Sequence, residues 1–218
     1  VISLLIVEGN TDEAFFKGLL KRLNSDSLNV TVENTQGKDA IPNTIRAHLR
    51  FGVSEMAVAQ DIDDGSPSQV LQSVQAAAYS AFDIDPPGGP PTDSIVQVET
   101  RTLHVLAVGL YQDPLLNDLG VTKHALEDYL LKLALEDPAL QTNVRDLRIL
   151  LDSILPSVRD HDGGFDSSKD IFQLVKPLVQ LGFSDTGVVQ KMIEDADENI
   201  LRSVLAPLLI DLESALVP

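Results

Sequence analysis

Two acidic clusters stand where a strand-like run gives way to a turn. The first is Val7-Glu8-Gly9-Asn10-Thr11-Asp12 and the second is Asp61-Ile62-Asp63-Asp64-Gly65. Each follows a short apolar segment and precedes a helical pattern. In open α/β sheets, ligands bind beyond the carboxyl ends of the strands, so Glu8 and the Asp61/Asp63 pair occupy positions suited to chemistry. Alternate residues of an extended strand end point the same way, which predicts that Asp61 and Asp63 converge. Carboxylates gathered on neighbouring strand ends repel one another unless a cation joins them. Hard divalent ions such as magnesium take oxygen ligands of this kind, with water completing the shell.

Each cluster alone has a simpler account. Thr11, Asp12 and Glu13 suit any helix N-terminus, through capping and the helix dipole. Aspartates are common in turns after strands because their side chains favour turn geometry. The specificity lies in the recurrence: both clusters follow an apolar strand and both precede a helix. A further acidic pair, Glu127-Asp128, falls inside a helical pattern. Adjacent helical residues do not share a face, so at most one of the two points into a cleft, and a solvated helix face is the plainer expectation.

The elements that must position these residues can be read from apolar spacing. Strands are expected over 2–7, 28–33, 55–60, 94–99 and 103–108, the first as a nearly continuous apolar run of the kind buried on both faces of a parallel sheet. Helices are expected over 12–23, with Thr11 as its cap, over 39–51 with Pro42 in its first turn, and over 67–81. The run Asp85-Pro86-Pro87-Gly88-Gly89-Pro90-Pro91 is a loop. This alternation predicts an α/β fold, an open, mainly parallel sheet with helices on both faces. Beyond it the pattern is helical, over 122–136, 141–154, 168–181, 185–195 and 197–215. Asp137-Pro138, Asp160-His161-Asp162-Gly163-Gly164 and Gly182 act as breakers. The expected organisation is a sheet domain over 1–112 and an all-helical region over 113–218 packed on it.

Composition narrows the functions. The 218 residues contain no cysteine, which excludes disulfides, thiol nucleophiles and cysteine-ligated metals. Histidines 48, 104, 124 and 161 form no zinc-site spacing, and His104 on an apolar strand reads as a core residue. No Gly-x-x-x-x-Gly-Lys-Ser/Thr loop occurs, which argues against an ordinary ATPase. No apolar run is long enough to span a bilayer and no charged-then-apolar leader precedes the first strand. The expectation is therefore a soluble, cytoplasmic protein with no membrane partner. The net charge of −17 repels phosphate backbones at long range. It is unevenly spread: residues 1–58 hold 6 basic and 7 acidic side chains, so nearly all the excess lies beyond them. An anionic substrate should meet the N-terminal part, or bound cations, first.

The run Leu5-Ile6-Val7-Glu8-Gly9-x-Thr11-Asp12, with Phe15-Phe16 and Leu19-Leu20 after it, resembles the first motif of the Toprim domain. Asp61-x-Asp63 after the 56–60 strand resembles the second, and the Gly37-Lys38-Asp39 step resembles a glycine–lysine turn of several Toprim proteins. The resemblance covers residues 2–110. For the whole chain it is to small archaeal Toprim-like proteins and, more distantly, to OLD-family nucleases. It implies a divalent-metal-dependent phosphodiester hydrolase or nuclease acting on nucleic acid. Glu8 would be a general acid/base or shared metal ligand. Asp61 and Asp63 would hold Mg2+ or Mn2+, with Asp64 as helper, and Lys38 would be the cation nearest a scissile phosphate. Lys17, Lys21, Arg22, Arg46 and Arg50 are candidates for flanking phosphates, against simple helix solubility. OLD-type enzymes add a later carboxylate, a part that Glu127 or Asp128 would play. Tyr79, Tyr111 and Tyr129 lack a topoisomerase setting. The alternatives are a non-catalytic Toprim-like scaffold whose acidic helical half binds a partner protein, and a metal-dependent enzyme acting on a small phosphorylated metabolite.

Overall fold

The computed structural model describes residues 2–23, 29–88, 93–141, 144, 146–162, 165–179 and 184–216. Gly89, Pro90 and Pro91 of the proline–glycine loop, Gly163, Gly164 and Gly182 lie outside the described residues. The fold is mixed α/β, with a five-stranded, mostly parallel sheet and a helical C-terminal half. The strands are β1 (Leu4–Val7), β2 (Thr31–Asn34), β3 (Glu55–Asp61), β4 (Ile95–Val98) and β5 (Arg101–Val108), in the order β2-β1-β3-β5-β4. β1 pairs in parallel with β2 and β3, and β3 with β5; β4 closes the edge as the antiparallel arm of a hairpin with β5.

The sheet strands alternate between two cores. Leu5, Val7, Ala57, Ala59, Leu106 and Val108 face α1 (Asn10–Arg22) and the C-terminal helices. Leu4, Ile6, Met56, Val58 and Val105 face α2 (Ile41–Arg50) and α3 (Pro67–Ser80). β1 and most of β3 are buried on both faces, which is why they read as continuous apolar runs. His104 on β5 is half-buried rather than core.

The helical half comprises α4 (Pro114–Asp118), α5 (Glu127–Glu136), α6 (Leu147–Asp162), α7 (Ser168–Val179), α8 (Asp185–Asp195), α9 (Glu198–Val204) and α10 (Ala206–Leu216). It shares a single apolar core with one face of the sheet, in which Phe15, Phe16 and Leu19 of α1 meet Tyr129, Leu130 and Leu133 of α5 and Val188, Val189, Met192 and Ile193 of α8.

Several boundaries differ from the sequence reading: α6 starts at Leu147 rather than 141, and α4 forms where no helix is expected. α1 starts at Asn10, and Asp12 rather than Thr11 takes the free N–H of Gly9, at 3.0 Å. Residues 122–124 are not helical because their backbone is spent on tertiary pairing, with Asp63↔His124 and Lys123↔Ser167 bridges. Asp160, His161 and Asp162 form the last turn of α6 rather than a loop. The expected 197–215 helix is broken at Leu205, and Pro207, which has no N–H to donate to the preceding turn, sits in the first turn of α10.

Candidate active site

The carboxyl edge of the sheet opens into a cleft of about 650 Å³ whose lining includes Glu8, Asp12, Asp61, Glu127 and Lys169. β1 delivers Glu8 at its end, and the Glu8 Oε1 accepts the Asp61 N–H at 3.3 Å, tying the two strand ends together. Asp12 enters from the first turn of α1. Asp61 is the last residue of β3 and shares the parity of Ala57 and Ala59, so its side chain points toward the helical half. There, 3% exposed, it accepts the Leu126 N–H on Oδ1 at 3.0 Å and the Lys169 Nζ on Oδ2 at 2.8 Å. Glu127 opens α5, and Lys169 is the second residue of α7.

Four carboxylates and one lysine leave the cleft short of positive charge. Burial, then repulsion from Asp61 and Asp12, pushes Glu8 up to about 7. Burial, then Asp61 and Glu127, pushes Asp12 up to about 7. Burial, then Asp61, does the same to Glu127, again to about 7. Burial raises Asp61 even though Lys169 pulls the other way. Burial opposes the charge on Lys169, but Asp61 and Glu127 hold it above the usual lysine range. The Glu127 Oε2 is buried without a hydrogen-bond partner. A buried, unpartnered carboxylate oxygen among three other carboxylates is a donor set that fits a hard divalent cation. Among the described residues, the side chains as they stand form no group of three or more acidic or histidine ligands around one point.

Asp61 and Asp63 do not converge as strand alternation predicts. β3 ends at Asp61, and Asp63 lies in the left-handed region at φ 55°. Its backbone pairs with His124 in both directions, at 2.6 and 2.7 Å, and its carboxylate pairs with Lys38. That contact raises the Lys38 ammonium above its usual range. Asp64 is exposed and lines a separate cavity of about 220 Å³ that includes Lys38 and Gln69. Asp61 borders both cavities.

Glu127 and Asp128 are both buried, at 9% and 0% exposure, so the solvated-face expectation is overturned. They do point apart. Glu127 faces the cleft, while the Asp128 Oδ2 accepts the Leu110 N–H at 2.7 Å and lies 2.9 Å from the His124 Nδ1. The Asp128–His124 pair thereby backs the segment that holds Asp63. Of the basic residues considered for flanking phosphates, Arg22 is consumed by Glu198 and by the carbonyl oxygens of Ile193, Glu194 and Ala196. Arg50 binds the Ala81 carbonyl, and Arg46 binds Asn43 and Ser80. Lys17 and Lys21 stay exposed.

Sequence reasoning missed Asp12 as a cleft carboxylate and missed Lys169 altogether. Asp12 carried a signal, since Glu8 and Asp12 flank one tight strand-to-helix turn. Lys169 carried none: it stands 108 residues from Asp61, on a helix whose docking is tertiary.

Three comparisons bear on identity. No curated protein sequence matches the chain. The structure is similar to the C-terminal region of the Xanthomonas campestris pv. campestris OLD protein, at 13% identity and a TM-score of 0.47, with 98% of this chain and 94% of that one covered. Residues 2–162 match the family model described as "Protein of unknown function (DUF3226)", and the chain belongs to that family.

Proposed function

We propose that this is a Toprim-like, divalent-metal-dependent phosphodiester hydrolase acting on nucleic acid. The observation that carries the reading is the cleft at the sheet's carboxyl edge, where Glu8, Asp12, Asp61 and Glu127 crowd together against one lysine and leave a buried Glu127 oxygen unpartnered. Magnesium or manganese, held by Glu8, Asp12, Asp61 and Glu127, would supply charge neutralisation and polarise a phosphate oxygen. The chain's own groups account for the rest. Lys169 places a permanent cation beside Asp61, where it offsets charge on a bound phosphate. Glu8, at the cleft wall, would be the general acid/base or a shared metal ligand; its value of about 7 belongs to the metal-free cleft. Lys38, steadied by Asp63, stands beyond Asp61 as a second cation, and Asp63 and Asp64 complete the outer carboxylates.

The test is a labelled panel of single- and double-stranded DNA, structured RNA and a small phosphodiester. Each is incubated with magnesium, manganese or chelator, beside an Asp61→Asn/Glu127→Gln control. Metal-dependent cleavage that disappears in the control is the expected result. Silence across the panel from a folded, metal-binding protein overturns the hydrolase reading and leaves a scaffold.

A further inference from the structure

A second groove, of about 530 Å³, runs beside the cleft between α1 and α8. Asn10 lines both, so the two are continuous at the N-terminus of α1. Asn10 is braced there by the Asn34 Nδ2, 2.6 Å from its Oδ1. The groove's α1 wall carries Lys17 and Lys21, one helical turn apart on the same face. Ala14 and Gly18 keep that wall low, and Thr186 and Gln190 of α8 offer hydrogen-bonding groups opposite.

The charge distribution makes this groove distinctive. In the N-terminal part of the chain, Arg22, Arg46, Arg50 and Lys38 are committed to internal partners. Lys17 and Lys21 have side chains 57% and 66% exposed, and both line the groove. Their partners are the half-buried Glu13 at 2.6 Å and the exposed Glu194 at 3.8 Å. Such pairs are weak and exchange readily for phosphate oxygens. Glu13 also lines the groove, but Lys17 and the Asn34 amide both face it. Where α1 and α8 pack side by side they leave a linear furrow along their contact, a track that suits an extended strand.

We infer that this groove carries the strand leading away from the cleft: a single-stranded polynucleotide whose phosphates lie on Lys17 and Lys21, with Asn10 at the junction. This assignment rests on the hydrolase reading of the cleft and adds to it a single-stranded substrate and a direction of entry. It also answers how a molecule with a net charge of −17 holds a polyanion, since the cationic contacts, Lys17 and Lys21, fall in the least acidic part of the chain.

The test is fluorescence anisotropy with a 15-nucleotide phosphorothioate probe in magnesium, as DNA, as RNA and as a DNA duplex, across a salt series. The full chain is compared with Lys17→Ala/Lys21→Ala and with an Arg148→Ala/Arg202→Ala control that removes equal charge elsewhere. The single strand is expected to bind better than the duplex. The lysine variant is expected to bind at least about fivefold more weakly than the control, with a salt slope shallower by about 1.4, the counterion release of two single-strand phosphates. The DNA and RNA arms say which strand is preferred. Absence of single-strand binding, preference for the duplex, or a lysine variant indistinguishable from the control overturns the groove assignment. Metal-dependent cleavage of the unmodified DNA, RNA and small phosphodiester panel by the unaltered protein reads the cleft separately. Strand binding without hydrolysis leaves the groove and sinks the hydrolase; hydrolysis without strand binding does the reverse.

Discussion

At the scale of single residues, Asp61 is the pivot. One oxygen caps the backbone N–H that leads into α5, the other holds Lys169, and its own N–H engages Glu8. Asp61→Asn keeps an acceptor for Leu126 but removes the charge. Manganese affinity is expected to fall by roughly tenfold or more, since ligand charge sets cation affinity, with far-ultraviolet circular dichroism unchanged. Isothermal titration decides it, and undiminished affinity would remove Asp61 from the metal centre.

The same crowding sets a pH dependence. Glu8, Asp12 and Glu127 each titrate near 7 when folded, above their ordinary 4.5, 3.8 and 4.5. An acid whose folded pKa is raised favours the folded state only while protonated, so its contribution is lost as pH climbs from about 4 through 7. The chelated protein is expected to melt at a higher temperature at pH 5 than at pH 8. Glu127→Gln should flatten the difference, and magnesium at pH 8 should restore stability. Differential scanning fluorimetry reads all three, and a chelated protein more stable at pH 8 contradicts the assignment.

At the scale of elements, the edge of the sheet is held by its neighbours rather than by its own turns. The segment after β5 passes so close to residue 124 that a Cβ on Gly109, at φ 134°, would stand 2.9 Å from the His124 Cβ. Asp128 then fastens Leu110 and His124 from α5. Asp128→Ala strands a buried N–H and a buried imidazole nitrogen. Its expected cost is about 2–4 kcal/mol, or roughly 2–4 °C of melting temperature per kcal/mol for a chain of this size. Glu127→Gln, one residue away but facing the cleft, should not destabilise at pH 5. Urea titration of the pair separates the two, and equal losses would mean that their opposite orientations carry no energetic distinction.

At the scale of the whole molecule, one apolar core joins the sheet to the helical half, and no described helix is long and apolar enough to cross a membrane. A fragment of residues 1–112 keeps α1 but loses α5, α8 and α10, and would expose apolar side chains those helices cover, among them Phe15, Leu106 and Val108. An apolar face of that extent drives association, so the fragment is expected to aggregate or to bind hydrophobic dye, while the full chain does neither. A soluble fragment with cooperative unfolding would show instead that the sheet domain stands alone.

The sequence by itself determined the strands and most of the helices, and it offered Glu8 and Asp61 as candidates that the cleft brings together. β1 and β3 were legible because strands buried on both faces must be apolar throughout, and Glu8 and Asp61 because strand ends and turns are local events. Tertiary structure decided the rest. Asp63 leaves the line of Asp61 because His124 captures its backbone and turns it into the left-handed region. Glu127 and Lys169 reach the cleft because α5 and α7 pack against each other within the apolar core that the helical half shares with the sheet. That approach is set by summed burial over dozens of side chains, and apolar burial has no direction that a short stretch of sequence can record.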